Sequence, residues 1–142
     1  MRALAVAVLI AALAALLPQS TGRAQSAPSA AFCGSNGSHQ MRTTLYFGLS
    51  HPAGVISESQ WQTFLRQQVT PRFPDGLTVW QADGQWRTSE GKIAREPARV
   101  LLLVHDETPS VRQSITEIVR LYKRDFHQES VLWETAPVCA AF

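Results

Sequence analysis

Apolar and polar positions along this chain fall into blocks whose period changes from one block to the next. Residues 3–17 form an unbroken apolar run, and residues 43–50 (TTLYFGLS) are β-branched, aromatic and apolar, as a strand requires. Trp61, Phe64, Leu65 and Val69 recur at helical spacing behind Ser57 and Gln60, a capping-box pair. Pro71 ends that helix, because it lacks a ladder N–H and pushes Thr70 out of helical geometry. After the Pro74-Asp75-Gly76 turn, residues 77–82 read as a strand, Asp83-Gly84 as a hairpin turn and residues 85–88 as its returning arm. Glu90-Gly91 turns again before residues 99–105 (RVLLLVH), the most apolar strand. Val111, Ile115, Ile118, Val119, Tyr122 and Phe126 make a second helical stripe, with Ser110 and Gln113 as its expected capping box. Lys123 and Arg124 fall in its last turn, where cations oppose the negative helix end. Residues 130–134 are the expected final strand.

The order strand, helix, hairpin, strand, helix, strand predicts an α+β fold. It is the split βαβ pattern of a ferredoxin-like sandwich, a mainly antiparallel sheet with two helices on one face. The first and third long strands are expected to be central, parallel neighbours. Residues 100–104 are apolar at every position and residues 45–49 nearly so, which predicts burial on both faces. With both helices on one face, the other needs a cover: a second copy, the hairpin region 85–93, or a ligand. A homodimer through the open sheet face is the expected solution, because apolar patches of that size mark contacts.

The apolar run follows Arg2 and precedes Gly22-Arg23-Ala24, a small-x-small cleavage site, so residues 1–24 read as a signal peptide. Its 15 apolar residues fall short of the roughly 20 that cross a bilayer. No other segment of the mature chain is long and apolar enough to span. Phe32 stands where a lipobox before Cys33 needs a small residue. The expected organisation is a signal peptide at 1–24, a flexible Ser/Ala/Gly-rich leader at 25–41 and a single α+β domain at 42–142. The protein is thereby expected to be exported, to the periplasm or beyond. Removing Arg2 and Arg23 leaves eleven basic against eleven acidic residues. That balance gives no electrostatic reason to expect nucleic acid as a partner. Cys33 and Cys139, near the two ends of the mature chain, are expected to form a disulfide in an oxidising compartment. Closing so long a loop stabilises by up to about 4 to 5 kcal/mol in the chain-entropy model.

The segments LYFGLS (45–50), VTPRFPDGLTV (69–79), DGQWR (83–87), REPARVLLLVH (95–105) and QESVL (128–132) resemble a family of exported bacterial proteins known as domain of unknown function 3574. The closing PVCAAF and the upstream Cys33 fit the same pattern. The resemblance covers most of the mature chain. It implies a single-domain exported protein and no particular activity.

Two groups of residues carry candidate chemistry. Arg72, Asp75, Trp80, Trp86, Arg87, Arg95, Glu96 and Arg99 form a polar and aromatic cluster. Guanidinium groups fork onto carboxylates and indoles stack on ring faces, so the cluster suits a carboxylate or sugar-like ligand. The same residues also suit turns, hairpin packing and surface pairs. His51 and His105 are expected at one edge of the sheet, with Asp106 and Glu107 beside His105; a histidine among carboxylates is a candidate general base. The four histidines (39, 51, 105 and 127) lack metal-ligand spacing, so no metal is expected. There is no G-x-S-x-G elbow and no Gly-rich phosphate loop, and no cofactor is expected. The expected function is a non-catalytic module that binds a small molecule or an envelope protein. The alternative is a small enzyme on a dimeric α/β-barrel-like plan, acting on a small organic substrate.

Overall fold

A computed structural model describes residues 33–34, 36–51 and 53–142. The expected signal peptide and the leader as far as Phe32 lie outside these residues. Four long strands form one sheet: β1 (Ser38–Gly48), β4 (Thr78–Arg87), β5 (Ile93–His105) and β6 (Leu132–Ala140). Their order is β4-β5-β1-β6. The two-residue strands β2 (Ser50–His51) and β3 (Gly54–Val55) make a small ribbon after β1. Helices α1 (Glu58–Phe64) and α2 (Pro109–Phe126) connect the long strands. β1 opens at Ser38, so the last residues of the expected leader are paired strand, with Ser38 opposite Ala140.

Every neighbouring pair in the sheet is antiparallel, including the central pair β1 and β5. The expected parallel central pair is therefore corrected. The α1 crossover brings β4 back in the direction of β1, and the hairpin after β4 then reverses the chain once more. Met41 consequently faces His105, and Gly48 faces Ala98.

That hairpin does not turn at Asp83-Gly84. β4 runs straight through, with Asp83 opposite Pro97 and Gly84 opposite Glu96. The reversal lies between Thr88 and Lys92, where the Thr88 N–H donates to the Lys92 carbonyl at 2.8 Å. Gly91 supplies the left-handed residue there, at φ +79°. A turn dipeptide yields to the ladder when the residues beyond it can still pair.

The Ser57–Gln60 capping box forms as expected: Gln60 N–H donates to Ser57 Oγ at 3.3 Å and Ser57 N–H to Gln60 Oε1 at 2.9 Å. The helix widens into a π-helical turn, Leu65–Val69, before Pro71 stops it. For α2 the expected Ser110–Gln113 box is replaced by Thr108, whose Oγ1 accepts the Val111 N–H at 3.2 Å. Pro109 follows as the first helical residue, where its missing N–H costs nothing.

Alternation in β1 and β5 sends Leu45, Phe47, Leu101 and Leu103 to one face, against Trp61, Phe64, Ile115, Ile118 and Tyr122 of the helices. Phe47 and Tyr122 meet edge to face, with ring centroids 4.6 Å apart. Among the described residues no helix packs on the opposite face.

Candidate functional site

At the end of the sheet where β5 finishes, the turn after α1 folds back against it. Arg72, Asp75, Thr78, Leu102, His105 and Asp106 line a cleft of about 620 Å³ there. A cleft of this size holds a small organic molecule. Arg72 is anchored by a hydrogen bond from Nη1 to the Gln68 carbonyl, which leaves its other N–H groups for a ligand. Asp106 is held by Gln40, whose Nε2 donates to Oδ1 at 2.9 Å. Asp75 has no hydrogen bond or ion pair among the described residues. Phe73 lies beside the imidazole of His105, with ring centroids 6.3 Å apart.

His105 also heads a chain of hydrogen bonds that runs through the buried Thr43. Its Nδ1 lies 2.8 Å from the Asp106 carbonyl, which only accepts, so Nδ1 carries the proton. In the neutral ring Nε2 then accepts from the Thr43 hydroxyl at 2.9 Å. Thr43 in turn accepts from Thr135, also at 2.9 Å, and Thr135 from Trp133 Nε1 at 2.8 Å. Each hydroxyl has one direction open to it, so the chain is ordered from Trp133 to His105. A second, smaller pocket of about 150 Å³ lies beside it, lined by Thr43, Thr135, Trp133 and Arg112.

The expected ligand cluster is divided by the fold. Arg72 and Asp75 join His105 at one end of the sheet. Trp86, Arg87, Arg95 and Glu96 stand at the other, toward the β4–β5 hairpin. There Glu96 accepts from Trp86 Nε1 at 3.0 Å and from the Ser50 N–H at 3.1 Å. Arg95 and Glu96 border an open hollow, and Arg87 reaches the Gly91 carbonyl at 3.5 Å. Trp80 projects from the open face of the sheet, 44 % exposed. Arg99 instead lies on the helix side, paired with Glu58. A hydrogen bond from Gln62, and then Arg99, hold the Glu58 carboxyl below its usual range.

His51 is corrected in position. Because β1 and β5 are antiparallel, His51 follows the far end of β1, while His105 pairs with Met41 at the near end. The two histidines do not share a sheet edge. Cys33 and Cys139 form the expected disulfide, with Cα atoms 5.2 Å apart. His39 Nδ1 lies 3.4 Å from Cys33 Sγ, but disulfide sulfurs offer no thiolate to a metal. Sequence reasoning missed Gln40, Thr43 and Thr135. For Thr43 the available signal was a hydroxyl at a core-facing strand position, in phase with Leu45 and Phe47.

These features define a small α+β protein: an antiparallel four-stranded sheet, two helices on one face, and a cleft at one sheet end. The chain belongs to the family described as "Protein of unknown function (DUF3574)", matched over residues 42–142. No curated protein matches the chain. Among solved structures it is similar to a phage SAM lyase in complex with S-methyl-5′-thioadenosine, at 12 % identity and a TM-score of 0.56. That likeness covers 72 % of this chain and 90 % of the lyase, and at such identity it is one of fold. CutA of Synechococcus elongatus, complexed with Bis-Tris, is 10 % identical with a TM-score of 0.49, covering 74 % of this chain and 87 % of CutA. Among the described residues no helix is long and apolar enough to cross a membrane.

Proposed function

We propose that the protein is an exported, non-catalytic binding module on a ferredoxin-like plan, taking a small organic ligand in the cleft at the His105 end of the sheet. The sheet order and the two helices on one face support that plan. The observation that carries the reading is the convergence of Arg72 and Asp75, from the turn after α1, and His105, from the end of β5, on one cleft of about 620 Å³. Asp75 offers an unpaired carboxylate, Arg72 offers N–H donors, and Leu102 and Val104 offer an apolar floor. A molecule with hydroxyl or amine groups on an apolar ring meets all three. Both ring nitrogens of His105 are engaged by the chain's own groups, which supports binding over general-base chemistry. The Cys33–Cys139 disulfide supports placement in an oxidising compartment.

Native mass spectrometry of the protein purified from its oxidising compartment tests this reading. The expected spectrum shows a retained small molecule that Arg72→Ala and Asp75→Asn both lose, with melting temperatures near the parent's. Retention by both variants, or a collapse of their melting temperatures, overturns it.

A further inference from the structure

The two edges of the sheet are finished differently. Thr88 N–H donates to the Lys92 carbonyl and Leu49 N–H to the Pro97 carbonyl, and these two bonds fix which way the backbone of every strand points. Even-numbered residues of β4 pair toward β5 and even-numbered residues of β6 toward β1, which turns the odd-numbered ones outward. The outward row of β6 includes Pro137, which has no N–H to offer a further strand. The outward row of β4 is Val79, Gln81, Asp83, Gln85 and Arg87, with no proline, lysine or bulge to guard it. β1 stops at the Pro97 carbonyl, so residues 84–87 and 93–96 pair only with each other and project as a two-stranded ribbon, with Trp86 and Ile93 exposed along it. A ribbon of two strands is marginal on its own and gains from a third.

We propose that two copies join β4 to β4 along this edge, antiparallel about a two-fold axis at Gln85, edge to edge rather than face to face. The two ribbons then form one four-stranded arm, β5-β4 of one copy followed by β4-β5 of the other. In that register Asp83 lies directly opposite Arg87 of the second copy, and symmetry makes the pair twice. Gln85 meets its own counterpart on the axis, amide to amide. All three are outward positions, so the pairing satisfies about six backbone hydrogen bonds. On the other face Trp86 comes opposite Gly84 of the second copy, where a ring covers a position with no side chain. Charge selects the register. An axis at Asp83 sets the two Asp83 carboxylates against each other, and one at Gly84 sets them diagonally across the strands. Of the three, only the axis at Gln85 sets each carboxylate directly opposite a guanidinium and away from its own counterpart.

Sedimentation velocity on the oxidised protein tests the pairing. The protein is expected to dimerise reversibly at about 100 µM or below, in keeping with a small interface. Asp83→Arg and Arg87→Asp each set like charges opposite one another twice, and each is expected to weaken the dimer by about tenfold or more. The double variant restores the pairs with their signs exchanged and is expected to recover the parent's affinity to within about threefold. Gln85→Pro removes an outward N–H and leaves the β4–β5 ladder intact, so it is expected to abolish the dimer while keeping the parent's circular dichroism. A monomer throughout that concentration range overturns the proposal, as does a dimer that survives Gln85→Pro or that the double variant fails to restore.

Discussion

The carboxylate of Glu96 lies directly over Gly48, where a Cβ would meet either carboxylate oxygen at 2.6 Å. Gly48 does not occupy the left-handed region, so its requirement is space. The space is used: Glu96 sits there to accept the Trp86 indole N–H and the Ser50 amide.

Gly48→Ala is therefore expected to displace Glu96 from two exposed N–H donors, which turn to water instead, at a cost of about 1 kcal/mol. The clash is specific to the carboxylate. In a Glu96→Ala background the same substitution is expected to be neutral or slightly stabilising, since alanine then only restricts the unfolded chain. A double-mutant cycle from urea unfolding measures the coupling, and additive costs would sink the account.

The ordered hydrogen bonds from Trp133 to His105 pass through Thr43, which is wholly buried. Thr43→Val keeps the shape and removes the hydroxyl, so His105 Nε2 and the Thr135 hydroxyl each lose a partner. The expected loss of stability is about 1 to 3 kcal/mol. Thr44, the next residue, points to the opposite face, and its hydroxyl makes no hydrogen bond among the described residues. Thr44→Val is expected to change stability by about 0.5 kcal/mol or less. Equal effects at the two positions in urea titrations would show that the chain of hydroxyls contributes nothing.

What the sequence discloses here depends on how local the signal is. Ser57 and Gln60 are three residues apart and act on each other's amides, so their cap is readable from composition and spacing alone. The continuous apolar run 100–104 showed that a second sheet face is apolar, because Val100 and Leu102 alternate with Leu101 and Leu103. Direction was harder. One crossover and one hairpin separate β1 from β5, and reading their pairing as parallel put His51 beside His105. The Asp83-Gly84 dipeptide suits a turn, yet the residues after it still find partners in β5. The bond between Thr43 and Thr135 spans 92 positions. No local pattern marks it until the strand register is known.

Tyr122 supplies a pH-dependent prediction whose sign follows from its surroundings. Its hydroxyl donates to the Gly48 carbonyl at 2.7 Å, on the side of β1 opposite Glu96. Burial, and then the nearby Glu96 charge, push the phenol well above its usual 10.0. In the unfolded chain the phenol ionises near that usual value, so above about pH 10 the unfolded state sheds a proton that the folded state retains. The stabilising contribution is complete below that point and is lost as pH rises toward the folded value. Tyr122→Phe is expected to cost about 1 kcal/mol at neutral pH, through the lost hydrogen bond, and to flatten the alkaline fall in stability. Absorbance of phenolate near 295 nm, followed alongside circular dichroism, checks the cause. One tyrosine should ionise only as the fold is lost, and that step should vanish in the variant. If the phenol titrates while the fold stays intact, Tyr122 is not the group that limits alkaline stability.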